Sequence, residues 1–327
     1  MGNSQRRMFV TSMAAALLAA VPLSAFAQLK YPSKPIRLVA STTAGSQPDA
    51  LARMFAQKMS EHWGQAVVID NRPGAGGTLA AGSVARSAPD GYTLLYVLPN
   101  FTISSVLQTS LPYDALRDFV AVSQIGMSTN VLIASPALNA KTVKDFIALA
   151  KAQPGKLIQA SSAVGSAGHL TGARFNLIAG IKAITVAFKG GPDATIEVLA
   201  GRAQYHVGTM GVVLPFIKDG KLVGLAVTTP QRAPVLPDVP SLGEIMPEFK
   251  RPETTHGLVV PAGTPRPVVA QLNKEMERIL ELPDIRERMQ AIAFVGLPST
   301  PDEYSAILRN QLDTLRKLVV DAGLKPK

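Results

Sequence analysis

What most limits the fold of this chain is its alternation of short β-branched runs with longer helical patterns. Ile36–Ala40, Ala66–Asp70, Thr93–Val97, Leu157–Ser161, Ala183–Phe188, Tyr205–Met210 and Leu222–Thr229 read as strands. Between them, residues 48–62, 76–87, 143–152, 166–179, 192–201 and 211–219 carry helical spacing. That order predicts an α/β fold of largely parallel sheets covered by helices. Gln153-Pro154-Gly155, Pro89-Asp90-Gly91 and Asp219-Gly220 supply the turns.

Two long extended segments, Val120–Ser135 and Thr254–Pro261, sit between the βα blocks. They predict two lobes joined by two crossing strands. Residues 28–128 and 254–327 then form the first lobe and 129–253 the second. In the C-terminal third, Thr264-Pro265 reads as an N-cap followed by Pro at the first helical position, ahead of Val269, Leu272, Met276 and Ile279. Thr300-Pro301-Asp302-Glu303 reads as a capping box ahead of Tyr304, Leu308, Leu312, Leu315 and Val319. The charged face Glu275, Arg278, Glu281 reads as solvated surface.

The first 27 residues have a cationic start (Arg6, Arg7), an apolar stretch from Met13 through Leu23, and Ala25-Phe26-Ala27. They read as a signal peptide cleaved after Ala27, which places the mature chain in the periplasm. The apolar run is shorter than the roughly 20 residues that span a bilayer, so stable membrane insertion is not expected. Ser4-Gln5-Arg6-Arg7-Met8-Phe9-Val10 also resembles a twin-arginine signal, and both export routes stay open. The formal charge of +10 falls to +8 once Arg6 and Arg7 are removed. Lys and Arg are scattered among acids and no groove-reading motif is present, so the excess favours small anions over nucleic acid.

The chain has no cysteine, which excludes disulfides, thiolate metal sites and cysteine nucleophiles together. There is no G-x-S-x-G elbow, H-E-x-x-H or Walker loop, and His62, His169, His206 and His256 lack metal-ligand spacing. In Asp70-Asn71-Arg72-Pro73-Gly74-Ala75-Gly76-Gly77-Thr78 the third fingerprint glycine is replaced by Leu79, so these glycines read as a tight, closely packed turn. No catalytic residue, metal or cofactor is expected.

Open α/β sheets bind ligands at the carboxyl ends of their strands, beside helix N-termini. Two loops stand in that place. The first runs Ser41-Thr42-Thr43-Ala44-Gly45-Ser46-Gln47-Pro48-Asp49; the second runs Ser162-Ala163-Val164-Gly165-Ser166-Ala167-Gly168 and opens the helix carrying His169. Free N–H groups and the helix dipole suit both to a carboxylate without any cationic side chain. Capping by Ser46 and Ser166 explains either loop alone. Two loops in equivalent places point to a ligand cleft.

Tyr31-Pro32-Ser33-Lys34-Pro35-Ile36-Arg37-Leu38-Val39, Asp70-Asn71-Arg72-Pro73-Gly74-Ala75-Gly76-Gly77, Ala88-Pro89-Asp90-Gly91-Tyr92-Thr93-Leu94-Leu95, Leu111-Pro112-Tyr113-Asp114, Leu236-Pro237-Asp238-Val239-Pro240-Ser241 and Pro261-Ala262-Gly263-Thr264-Pro265 together resemble the Bug family. These are the extracytoplasmic solute receptors of tripartite tricarboxylate transporters. The resemblance runs from Tyr31 to about Ala322. It implies a two-lobed periplasmic binding protein type II fold, no enzymatic activity, and a small organic carboxylate delivered to integral membrane transporter subunits. A receptor feeding a sensor kinase would use the same cleft, and a cleft hydrolase would need an acid–base pair that the sequence does not display.

The resemblance also carries residues. Gly45, Asp49, Ser161, Gly165, Ser166 and His169 match the family pattern, whereas Thr43, Ala44 and Ser46 replace the usual Pro-Pro and second Gly. Gly208 stands where the family often has Asp, and Thr255-His256 where it often has Trp-Phe. Asn100, Phe101, Thr102, Thr209, Met210 and His256 are expected to line a mixed pocket. The ligand expected is a mono- or dicarboxylate, aromatic ones included, rather than an amino acid.

Overall fold

The computed structural model describes residues 31–162, 166–188, 190–229, 231–247 and 255–321. The elements below lie in the compact unit Lys34–Lys327. The signal-peptide reading, Gly165 and Thr254 fall outside the described residues.

Each β-branched run becomes a strand and each longer pattern a helix. The first block is β1 (Ile36–Ala40), α1 (Gln47–Trp63), β2 (Val67–Asn71), α2 (Thr78–Ala85), β3 (Thr93–Val97) and α3 (Asn100–Leu107). The long segment then divides into β4 (Phe119–Ser128) and β5 (Asn130–Ala134), with Thr129 between them. A second block follows: α4 (Val143–Ala152), β6 (Ile158–Ser161), α5 (Ala167–Ala179), β7 (Ile184–Ala187), α6 (Gly191–Leu199), β8 (Tyr205–Thr209), α7 (Met210–Lys218), β9 (Val223–Val227) and α8 (Leu242–Ile245). The chain closes with β10 (His256–Pro261), α9 (Arg266–Glu281), α10 (Pro283–Ala291), β11 (Phe294–Gly296) and α11 (Pro301–Asp321).

Two sheets result, ordered β11-β4-β10-β3-β1-β2 and β7-β6-β8-β5-β9. The blocks of βα units pair in parallel, β1 with β2 and β3, and β6 with β7 and β8. β10 pairs antiparallel to β3 and β4, and β5 pairs antiparallel to β8 and β9. The sheets are therefore mixed rather than largely parallel. The antiparallel members include β5, where the chain leaves the first sheet, and β10, where it returns.

The capping box on α11 is present: Thr300 N–H donates to Glu303 Oε2 at 2.8 Å and Glu303 N–H to Thr300 Oγ1 at 3.3 Å. Tyr304, Leu308, Leu312, Leu315 and Val319 are all buried, each side chain of that kind contributing about 1.5–3 kcal/mol. A Cβ at Gly257 of β10 would collide with the Tyr304 ring, so this glycine makes the space that Tyr304 fills. The start of α9 differs from expectation. The helix begins at Arg266 with Pro265 at the N-cap and Pro267 in its first turn, and the Thr264 hydroxyl donates to Pro261 O instead of capping.

The expected solvated face of α9 is also different. Glu275 is buried, because His62 on α1 meets it at 2.6 Å (Nδ1 to Oε2) and Arg278 donates to both its oxygens at 2.6 and 3.0 Å. A carboxylate held on several sides can leave water.

Candidate functional site

After β1 the chain turns through exposed Thr43, Ala44 and Gly45 before α1. Gly45 has φ +81, a left-handed conformation that favours glycine. Buried Thr42 and half-buried Ser46 pair through their hydroxyls at 2.5 Å, and Ser46 Oγ donates to Thr43 O at 2.8 Å. Ser46, the residue before α1, is extended (φ −75, ψ 163) and its side chain accepts no helix N–H.

Asp49 anchors this loop. It is 1% exposed and accepts Gly45 N–H at 2.8 Å, Asn71 Nδ2 at 2.8 Å and Arg53 Nε at 2.9 Å. Burial raises its pKa, but the Arg53, Gly45 and Asn71 bonds outweigh that and hold it below the ordinary carboxylate value. With its oxygens turned to these partners, Asp49 shapes the loop.

After β6 the arrangement repeats. Ser162 and Ser166 pair through their hydroxyls at 2.7 Å, again four residues apart, and Ser166 is extended (φ −72, ψ 162) ahead of α5. Here the serine caps, accepting His169 N–H at 3.3 Å. His169 occupies the helix position that Asp49 holds in α1. It is buried, and that burial lowers its pKa. Ser161 is fully buried and donates to Ser162 O at 3.0 Å. A Cβ at Gly168 would lie 2.8 Å from Val207 O and 2.9 Å from Ser162 Oγ, so glycine lets α5 start against β8.

Helix α3 ties the two loops together. Its first residue, Asn100, bonds Ser41 at 3.3 Å, while Ile103 packs with Leu170 of α5 and Leu315 and Leu318 of α11. The glycine-rich turn after β2 packs on the same helix. Ser104 Oγ donates to Gly76 O at 2.8 Å, and a Cβ at Gly77 would meet Asn100 Nδ2 at 2.5 Å, in line with the close-packing reading.

Other expected residues are placed elsewhere. Phe101 is in the core, stacked on Tyr113 with centroids 5.6 Å apart. His256 is buried, with Nδ1 2.8 Å from Tyr96 Oη, Nε2 3.2 Å from Ser128 Oγ and its ring edge-on to Phe294. Desolvation pushes its pKa down to about 3. This histidine ties β10 to β3 and β4. Thr102 and Met210 are buried, whereas Thr209, the residue before α7, is half-buried at the end of β8. At Gly208 a Cβ would lie 2.5 Å from Val213 Cγ1, so neighbours fill the space a family Asp would need.

Thr43, Ala44 and Gly45 are exposed and Ser46, Asn100, Ser166 and Thr209 half-buried, so this part of the surface is made of hydroxyl, amide and backbone groups. Sequence reading missed the Thr42–Ser46 and Ser162–Ser166 pairs, although the four-residue hydroxyl spacing was visible in both loops. It also missed Asn71 and Arg53 as the partners of Asp49. Among the described residues no group of three or more His, Asp or Glu could hold a metal, and no helix is long and apolar enough to cross a membrane.

Comparison with known proteins gives the family. Residues 51–324 match the family described as "Tripartite tricarboxylate transporter family receptor". The chain is 31% identical over 300 residues to protein BugT of Bordetella pertussis, covering 91% of this chain and 92% of that protein. A solved structure of a Rhodopseudomonas palustris protein with adipate has 29% identity and a TM-score of 0.75, over 91% of this chain and 100% of that one. MatC of Rhodopseudomonas palustris, solved with bound malate, has 26% identity and a TM-score of 0.70, over 88% and 100%.

Proposed function

The chain belongs to the receptor family of tripartite tricarboxylate transporters, and on that premise we propose that it holds a small dicarboxylate between the loops after β1 and β6. The observation that carries this reading is the repeated frame, a hydroxyl pair of Thr42 with Ser46 and of Ser162 with Ser166 at the start of each helix. Each helix N-terminus offers unsatisfied N–H groups and the positive end of a dipole to one carboxylate. Two such ends fit a ligand with a carboxylate at each end, the chemistry of the adipate and malate held by the similar receptors.

Thr43 and Ser166 donate hydroxyls in this reading, Ser46 holds the loop through its bond to Thr43 O, Asn100 and Thr209 line the space between, and Asp49 and His169 set the loops. No aspartate stands at Gly208 to receive an ammonium group, which favours organic acids over amino acids. Residues 1–27 serve as an export label removed after Ala27, residues 28–128 with 254–327 and residues 129–253 form the two lobes, and the loaded receptor meets its integral transporter subunits in the periplasm. Binding acts by population shift, with the ligand favouring the lobe arrangement in which both loops reach it.

A thermal-shift panel of adipate, malate, benzoate and aspartate tests the reading. A ligand at a hundredfold excess over Kd stabilises the folded state by about 2.7 kcal/mol. Adipate and malate, dicarboxylates without an ammonium group, are expected to raise the melting temperature most. A shift with aspartate alone overturns the assignment.

A further inference from the structure

A second cavity lies across the crossing strand from the two hydroxyl loops. Its volume is about 530 Å³, within the roughly 300–1,000 Å³ of small-molecule sites. Sheet order fixes its side. In the first sheet β3 and β1 lie to one side of β4 and β11 to the other; in the second, β8 and β6 lie to one side of β5 and β9 to the other. The hydroxyl loops follow β1 and β6. The cavity is walled by Phe294 and Val295 of β11, by Thr229 and Val235 beyond β9, and by Met127 and Thr129 of the crossing itself. None of the candidate carboxylate-binding residues lines it.

Its chemistry differs from that of the loops. Met127, Met289 and Phe294, each at most 3% exposed to solvent, give it an apolar wall. Two arginines stand at it. Arg232 is committed to Glu244, with which it makes a bond of 2.8 Å. Arg286 donates Nε to Leu280 O at 3.3 Å and makes no ion pair among the described residues; Glu281, also at the cavity, is not bonded to it. An apolar wall beside a cation without a counter-ion suits an amphipathic anion.

The cavity also adjoins the crossing and the first helix. Thr129 N–H donates to Ala293 O at 3.1 Å, and Gln47 Nε2 at the start of α1 donates to Ile292 O at 3.2 Å. Ala293 of its wall is therefore bonded to the crossing, and Ile292 next to it to the helix that begins at the first hydroxyl loop.

The geometry points to a second ligand site here, bridging the two lobes and taking a small amphipathic organic anion, its apolar body against Met127, Met289 and Phe294 and its acid group on Arg286. The test is a fluorescence titration of the full chain with 8-anilinonaphthalene-1-sulfonate. Gln231 and Gln290, one from each lobe, line the cavity with exposed side chains, so Gln231→Trp and Gln290→Trp can obstruct it without disturbing the core. Each is expected to weaken the saturable enhancement tenfold or more. Arg286→Gln is expected to raise Kd about tenfold, the size of one charge-assisted contact, and decides the matter alone if a tryptophan variant melts early. Ser166→Trp, in the other cleft, is expected to leave the titration unchanged. The site is overturned if there is no saturable binding, if Ser166→Trp abolishes it, or if Arg286→Gln leaves Kd where it was. Bridging is overturned if only one of the two tryptophans has an effect.

Discussion

The loop after β1 and the loop after β6 share a frame but are held in place by different forces. In the first lobe, Asp49 gathers Gly45, Asn71 and Arg53 around a buried carboxylate, so charge and hydrogen bonds set the turn. In the second, Gly168 lets α5 start against β8 and Leu170 packs with Ile103 of α3, so close packing joins the Ser166 cap in setting it, with no buried charge. The contrast separates two jobs. The paired hydroxyls and helix N-termini recur in both loops. The residue three places into the helix is free to vary with the lobe that supports it.

The largest expected effect falls on the packed loop. Ser166→Trp places a ring where a carboxylate should sit, and calorimetry is expected to show dicarboxylate affinity lost by at least a hundredfold with an unchanged far-UV spectrum. Unaltered affinity removes this loop from the site.

Acid separates the lobes next. His206 in the second lobe and His256 in the first are pushed down to about 4 and about 3 by burial, against 6.5 in the free side chain. Below pH 6.5 the unfolded chain takes up protons that these folded histidines refuse, so stability falls as pH drops. Each contributes a slope of about 1.4 kcal/mol per pH unit down to its folded value. Urea unfolding between pH 7 and pH 4 checks this, and a flat profile contradicts it. Asp49 works in the opposite sense of charge. Its lowered pKa stabilises the fold above the ordinary carboxylate value, and that contribution is lost only as pH falls further, through its folded value.

Removing the charged anchor is expected to cost less. Asp49→Ala leaves Gly45 N–H, Asn71 and Arg53 without their acceptor, a loss of about 2 kcal/mol by urea midpoint. The cost should be larger than that of truncating exposed Thr43. The smallest effect is Gly45→Ala, about 1 kcal/mol for a side chain at φ +81 with open space around it. Gly168→Ala should exceed it, because Val207 O stands in the way.

Much of this was legible beforehand. β1, β3 and α4 fall on the residues their patterns mark, since a β-branched run between turns leaves little choice. β11 was missed because three residues carry no period. α10 was missed too, although Leu282-Pro283-Asp284 offers a proline and an acid for a first turn. Glu275 was unreadable for another reason. Nothing in α9 distinguishes it from Glu281, and its burial depends on His62, which lies 213 positions away in sequence. His256 shows the same limit, since sequence alone suits it equally to a pocket or to the core position it occupies between Tyr96 and Ser128.

Hydrogen–deuterium exchange, with and without the dicarboxylate that most raises the melting temperature, tests the two-loop account most directly. The account predicts slowed exchange in residues 43–49 and in residues 166–170 together, at the same ligand concentration. Protection of one segment without the other, or of neither while ligand is bound, contradicts it.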